Sequence, residues 1–458
     1  MIGTVRLAEV AEFLAAKHRG ANVPFQFVST DTRTLQPGDL FVALVGDRFD
    51  GHEYIDLAIE KGACAVVISK AIETSVPFLQ VKDTTKALGR LALFNREKFN
   101  KEVVAVTGSS GKTTVKGMMA TLLRQQNEVL VTRGNFNNHI GAPLTLLRLN
   151  HTYDYAMLEL GASSEGEIDY IANLAKPTVA IITNADSAHL EGFGDLDTIV
   201  RTKGEIIGAL PENGTAILNF DSPYFSQWLE MAGERRVISF GTSDKAEVYA
   251  TDIEVDPIGC CQFNLHVADE SVPVHLHILG KHNVSNALSC AAACVALKMP
   301  LALIVSGLQE FQGVEGRLIE KKGLQESTVI DDTYNANPAS VRAALDVLAS
   351  RSGHRIFVMG DMAELGVETQ LAHAEMGVYA RKVNIDEFFA IGEFSRGAAD
   401  SFGEGAHWFA SNDSLLRFLN RKLNKNTTVL VKGSRSAKMD RVVVAITKNE
   451  LKEQETGI

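Results

Sequence analysis

Gly108, Ser109, Ser110, Gly111, Lys112, Thr113 and Thr114 follow the β-branched run at residues 103–106 and lead into a helix from Val115. A glycine-rich turn of this kind aims successive backbone N–H groups at a phosphate, and the start of the next helix adds a favourable dipole. Lys112 has the reach for β- and γ-phosphate oxygens, and Thr113 offers a hydroxyl to the magnesium ion that travels with them. The strict phosphate-loop pattern places a glycine five positions before Gly111, where this chain carries Val106. Strand, turn, Gly-Lys-Thr and helix still occur in the required order. That order predicts a nucleoside triphosphate site.

Other polar residues fall at the carboxyl ends of further predicted strands, where open α/β sheets hold their ligands. Glu159 closes the apolar run 156–158, and a buried carboxylate there is costly unless something positive faces it. Magnesium beside the phosphate loop is the expected partner, with a structural salt bridge as the alternative. His189 lies beyond the run 180–183, at a place where a histidine can serve chemistry or simply packing. Asp331, Asp332, Tyr334, Asn335 and Asn337 form a dense polar turn ahead of a helix that starts at Pro338. Lys203 and Arg317 carry no signal from spacing alone; each looks like an ordinary solvated cation. Near the N-terminus two clusters stand out: Ser29, Asp31 and Arg33, and the segment 49–54 with Gly51 and His52. Arg33 can neutralise a diphosphate, and the backbone near Gly51 can approach one closely.

These groups need scaffolds to hold them. A chain of 458 residues exceeds one hydrophobic core and predicts about three domains. Residues 1–84 mix short strands and helices, with strands expected at 40–44 and 65–68 and an amphipathic helix over residues 1–20. Residues 85–313 alternate strands and helices, and the strands at 103–106, 129–131, 156–160 and 179–183 are apolar without alternation. Such runs suit a parallel sheet covered on both faces. Residues 248–279 alternate and look antiparallel and peripheral. A core helix with its exit turn is expected over 287–305, interrupted at Lys298 and Pro300. Residues 314–458 repeat the alternation, with strands at 328–330, 356–359, 388–391 and 428–431, as in a Rossmann-like sheet. The fold class is therefore α/β throughout.

Composition excludes several classes. A net charge of −11 argues against a general nucleic-acid surface. No segment is apolar enough for a signal peptide or a membrane span. Five cysteines without paired metal spacing fit a reducing cytoplasm, and a cytoplasmic monomer is expected. An Asn-Lys-x-Asp tetrad, which a guanine nucleotide switch would carry, does not occur.

Taken together, residues 107–114, Glu159, Asn184 with His189, Lys203, residues 280–287 and Gly316-Arg317 resemble the Mur ligases. These are the ATP-dependent amide-forming enzymes of peptidoglycan synthesis. Residues 49–52, 133–138 and 332–338 are similar to the member that adds D-alanyl-D-alanine to UDP-N-acetylmuramoyl-tripeptide. The Asp-Asn-Pro-Arg motif of the preceding pathway step is missing. The resemblance implies an N-terminal domain for the UDP-linked substrate, a central P-loop ATPase domain and a C-terminal Rossmann-like domain. It implies ATP as co-substrate and magnesium as cofactor. Thr113, Glu159, His189 and Lys203 are implied at the metal, with Lys203 converted to a carbamate by carbon dioxide. Lys112, His189, Lys203 and Arg317 are implied in catalysis, and His282, Asn283, Asn286, Arg317 and Asp331 at the nucleotide. Ser29, Asp31, Arg33, Gly51, His52, Asn135, Asn137, Asn138, Tyr334, Asn335 and Asn337 are implied at the substrates. A folylpolyglutamate synthetase-like ligase and a nucleotide-dependent binding module are the alternatives.

Overall fold

The computed structural model describes residues 1–46, 49–186 and 190–447. Three sheets organise them. The first has five strands in the order Lys17–Arg19, Phe78–Gln80, Ala65–Ile68, Leu40–Val42 and Val28–Ser29. Only its Lys17–Arg19 edge runs antiparallel. The second has nine strands, with Glu102–Thr107 flanked by Tyr155–Glu159 on one side and Val179–Ile182 on the other. The third has six strands, in which Thr328–Asp332 pairs in parallel with Thr427–Lys432.

The apolar runs become buried strands. Residues 103–106 have no exposed surface, which is why they carry no polar alternation. The 248–279 region is peripheral and mainly antiparallel, as expected, and forms one edge of the central sheet. Val248–Val255 joins the central sheet in parallel beside Arg236–Gly241, and only Cys260–Val267 and Glu270–Leu279 extend it antiparallel. The helix expected over residues 1–20 is shorter. Val5–Arg6 pairs with Pro24–Phe25, the helix covers Leu7–Leu14, and Ala15 ends it in a left-handed conformation. Chain beyond that cap turns into the Lys17–Arg19 edge strand. At 287–305 the expected break does occur, as two helices, His282–Ala296 and Leu301–Glu310, with Pro300 capping the second.

One apolar cluster runs without interruption from Leu7, Val10 and Leu14 through Leu88 and Leu91 to Val103 and Ala105. The N-terminal sheet is thus seated on the central one. Asn95, fully buried on the Thr84–Glu97 helix, ties that junction together. It accepts from the Ile2 N–H at 2.7 Å and donates to the Leu146 and Leu149 carbonyls at 2.8 and 3.1 Å. Asn95→Leu should keep the volume and strand all three backbone groups. Each buried orphan costs about 1–3 kcal/mol, so the three together should lower the temperature of thermal unfolding by roughly 10 °C. An unchanged melting temperature in calorimetry would remove Asn95 from this role.

Candidate active site

Strands 155–159, 102–107 and 179–182 are parallel neighbours, so their carboxyl ends open on one edge of the sheet. Chain that was distant in sequence meets there. The loop after Thr107 turns at Gly108, with φ of +148°, and enters the Lys112–Arg124 helix from Gly111, with φ of +82°. A Cβ on Gly108 would stand 1.9 Å from Thr183 Oγ1, and one on Gly111 would stand 2.5 Å from Asn286 Oδ1. Both glycines are required by these close approaches as well as by backbone angle. The loop is clamped from the next strand. Ser109 N–H donates to the Asn184 carbonyl at 3.1 Å, Ser110 N–H to Asn184 Oδ1 at 2.8 Å, and Thr183 Oγ1 to the Ser110 carbonyl at 2.7 Å.

Lys112 curls over its own loop, donating to the Gly108 and Ser109 carbonyls at 2.5 and 3.3 Å. Desolvation, with the Arg317 charge also acting against it, lowers its pKa to about 8 despite the attraction of Glu159. Glu159 is 2% exposed. It accepts from Thr113 Oγ1 at 3.3 Å and from Asn137 Nδ2 at 2.9 Å, and forms an ion pair with Lys116 at 2.9 Å. Burial works against its charge, but Lys116 and Lys112 hold the carboxyl below its ordinary range. Lys116 was missed in the sequence. Its signal was position: it stands one turn after Lys112, on the same helix face.

The cleft between the central and C-terminal sheets has a volume of about 1050 Å3. Ser109, Ser110, Gly111, Lys112, Thr113, Thr114, Glu159, His282, Asn283, Asn286 and Arg317 border it, as do Asn135, Asn137, Asn138, Tyr334, Asn335 and Asn337. Asn286 Nδ2 donates to Asn283 Oδ1 at 2.8 Å, and Asn283 in turn donates to the Leu279 carbonyl at 2.7 Å. Asn138 is spent on its own turn, accepting from the Ile140 and Gly141 N–H groups. Arg317 stacks on Tyr334, its guanidinium 4.4 Å from the ring centre.

Several expected residues stand elsewhere. Asp331 does not border the cleft; it pairs with Lys321 at 2.8 Å and accepts from Thr333. Side chains alternate along a strand, so its neighbour Asp332 takes the cleft side instead. Asp332 is paired with buried Lys432 at 2.5 Å, and burial raises the pKa of the acid and lowers that of the amine. Lys203 does not border the cleft either. It is 2% exposed on the Leu196–Gly208 helix, with its ammonium 5.0 Å from the Phe193 ring centre. Burial, then the Lys112 charge, lowers its pKa to about 7. The solvated lysine that spacing suggested is a buried one. His189 lies outside the described residues.

In the N-terminal sheet Ser29, Asp31 and Arg33 share one turn. Arg33 grips Asp31 at 2.6 Å and keeps most of its side chain in solvent. Gly51 and His52 are engaged internally. Gly51 N–H donates to the Leu44 carbonyl at 2.7 Å, and the His52 ring lies between Asp50 at 2.6 Å and the Ser69 N–H at 2.9 Å. These two residues frame the segment and do not offer free donors.

Most of this architecture matches known protein families. Residues 24–96 match the model "Mur ligase family, catalytic domain", residues 106–294 "Mur ligase middle domain", and residues 316–435 "Mur ligase, glutamate ligase domain". A UDP-N-acetylmuramoyl-tripeptide–D-alanyl-D-alanine ligase of Escherichia coli K12 is 42% identical over 97% of this chain and 99% of its own length. The chain belongs to the MurF family of Mur ligases. The Haemophilus influenzae MurF ligase is 40% identical over 97% of this chain and 98% of its own. A crystal structure of MurF from Acinetobacter baumannii superposes with a TM-score of 0.92 at 34% identity, covering 97% of this chain and 98% of that one. MurF from Thermotoga maritima in complex with ADP gives 0.84 at 29% identity, covering 94% and 98%.

Proposed function

We infer that this MurF ligase joins D-alanyl-D-alanine to UDP-N-acetylmuramoyl-tripeptide at the expense of ATP, forming the pentapeptide precursor of peptidoglycan. The observation that carries the reading is the meeting of the phosphate loop, Glu159 and Arg317 in one cleft, in a chain alike from end to end to ligases of that name.

A carboxylate is a poor electrophile. One oxygen of the tripeptide's terminal carboxylate attacks the γ-phosphorus of ATP, the bond to the β-phosphate oxygen breaks, and ADP leaves. The dipeptide amine then attacks the acyl carbon, and phosphate departs with the oxygen that the carboxylate contributed. Lys112 and Arg317 neutralise charge on the transferring group, and the loop N–H groups orient it. Thr113 and Glu159 present hard oxygens suited to magnesium, and Lys116 balances Glu159. Among the described residues no group of three His, Cys, Asp or Glu side chains converges, so oxygens from other sources would complete the shell. Magnesium, when bound, supplies further neutralisation of the triphosphate. The tripeptide carboxylate labelled with oxygen-18 should pass its label to the released phosphate; unlabelled phosphate would refute the acyl phosphate.

We assign residues 1–84 to the UDP-linked substrate, 85–313 to ATP and 314–458 to closure over both. Gly108 shapes the loop, Thr114 continues it, and His282, Asn283 and Asn286 take the adenine side, with Asp332 in the place first given to Asp331. Asn135, Asn137, Asn138, Tyr334 and Asn335 face the reacting ends. No helix among the described residues is long and apolar enough to cross a membrane; a cytoplasmic monomer remains our reading. Exposed Arg33, held beside Ser29 by Asp31, suits the diphosphate. Arg33→Ala should raise KM for the UDP substrate about tenfold and leave KM for ATP within a factor of two. Equal changes in both constants would refute that placement.

A further inference from the structure

One hydrogen bond crosses the cleft directly onto the phosphate loop. Asn337 Nδ2 donates to Ser110 Oγ at 3.1 Å, joining residues 227 positions apart. Both ends of the Asn337 amide are in use. Its Oδ1 accepts from the Ser340 N–H at 2.8 Å and caps the Pro338–Ala349 helix, while Ser340 Oγ accepts from the Asn337 N–H at 3.0 Å. That capping box fixes the amide, and the only remaining freedom of the side chain is directed at Ser110.

The two partners sit at the ends of separate rigid systems. Ser110 has its backbone held on both sides by Thr183 and Asn184, so a partner that grips its hydroxyl grips a fixed point of the loop. Asn337 closes the turn that also holds Asp332 against Lys432, gives the Asn335 carbonyl to Lys432 at 3.0 Å, and stacks Tyr334 on Arg317. Tyr334 N–H further donates to the Gly316 carbonyl at 3.1 Å.

We propose that the Asn337–Ser110 hydrogen bond is the latch that registers the C-terminal sheet on the phosphate loop, making Asn337 a positioning residue for the closed, water-excluding state. The inference rests on the ligase reading above. From the cleft wall Asn337 acts by holding Ser110, and through Ser110 the loop, at the distance that keeps Arg317 and the turn 332–337 over the transferring phosphoryl group. Loss of the latch leaves ATP bound but lets water compete with the dipeptide amine for the acyl phosphate.

The test is a double-mutant cycle on the full-length enzyme with ATP, UDP-N-acetylmuramoyl-tripeptide and D-alanyl-D-alanine. Asn337→Ser keeps a helix-capping oxygen and removes the donor. Ser110→Ala removes the acceptor. Each should lower kcat roughly three- to tenfold, the scale of one hydrogen bond, with little change in KM for ATP. The double variant should be no slower than the slower single one. Each should also raise the ratio of phosphate released to amide formed, which a change in stability alone would not do. Asn337→Asp, which caps well but places a carboxylate beside the phosphates, should be slower than Asn337→Ser at equal melting temperature. Multiplicative losses in the double variant, or unchanged coupling of phosphate to amide in both single variants, would overturn the latch. Absence of dipeptide-dependent ligation in the unaltered enzyme would instead overturn the ligase reading. A fall in melting temperature for Asn337→Ser that Asn337→Asp does not share would place its effect in the helix cap and overturn the latch as well.

Discussion

Lys112→Ala should abolish ligation while the fold stays intact. Lys112 is the one cation of the phosphate loop, and its ammonium now rests on the Gly108 and Ser109 carbonyls. A triphosphate in the loop would draw it off those carbonyls and onto its β- and γ-oxygens. Removing one positioned charge of this kind costs on the order of 10²–10³-fold in rate. The pH dependence follows from the same environment. Desolvation puts the Lys112 pKa at about 8 in the free enzyme, so the ammonium is present below that pH and lost above it. KM for ATP should therefore climb as pH rises past about 8. Near-normal turnover in a folded Lys112→Ala protein, shown by circular dichroism, would contradict the assignment.

Lys203→Ala should be almost as damaging, for a different reason. A buried lysine is expensive to keep charged, and burial with the nearby Lys112 charge outweighs the attraction of Glu205 and Glu167 and lowers its pKa to about 7. Much of it is then the neutral amine near neutral pH, the form that attacks carbon dioxide. We propose the carbamate as its working state, in which an oxygen replaces a cation that repels magnesium. The sign is testable. Carbon dioxide restored to depleted enzyme should return activity faster as pH rises through about 7, since the neutral amine grows in that direction. Lys203→Ala should lose on the order of 10²-fold or more, and a short carboxylic acid in the buffer should restore part of it. Full activity in Lys203→Ala, or carbon dioxide depletion without effect, would leave Lys203 as a packing residue.

The sequence carried the parts of the site that depend on local order. The phosphate loop was legible because strand, glycine turn and helix are consecutive, and Glu159 because a carboxylate ending an apolar run needs a partner. What it could not convey is which way neighbouring side chains face. Asp331 and Asp332 are adjacent carboxylates, and strand alternation sends one to Lys321 and the other to the cleft. Lys203 looked solvated because burial of a helix face by later elements leaves no trace in spacing. Gly51 and His52 form a recognisable cluster, but their contacts to Leu44 and Ser69 arise only when the sheet assembles. The short N-terminal helix has a similar cause: pairing of Val5–Arg6 with Pro24–Phe25 overrides an apolar periodicity that would allow more helix.

On the proposed reading, one cleft couples ATP cleavage to amide formation between two specific partners. Purified enzyme should be given ATP, magnesium, UDP-N-acetylmuramoyl-tripeptide and D-alanyl-D-alanine, with phosphate and UDP-linked product quantified together by chromatography and mass spectrometry. One phosphate should appear for each pentapeptide formed, and little phosphate when the dipeptide or the tripeptide is withheld. Phosphate release that ignores both substrates, or ATP turnover without a product heavier by the dipeptide less water, would contradict that reading.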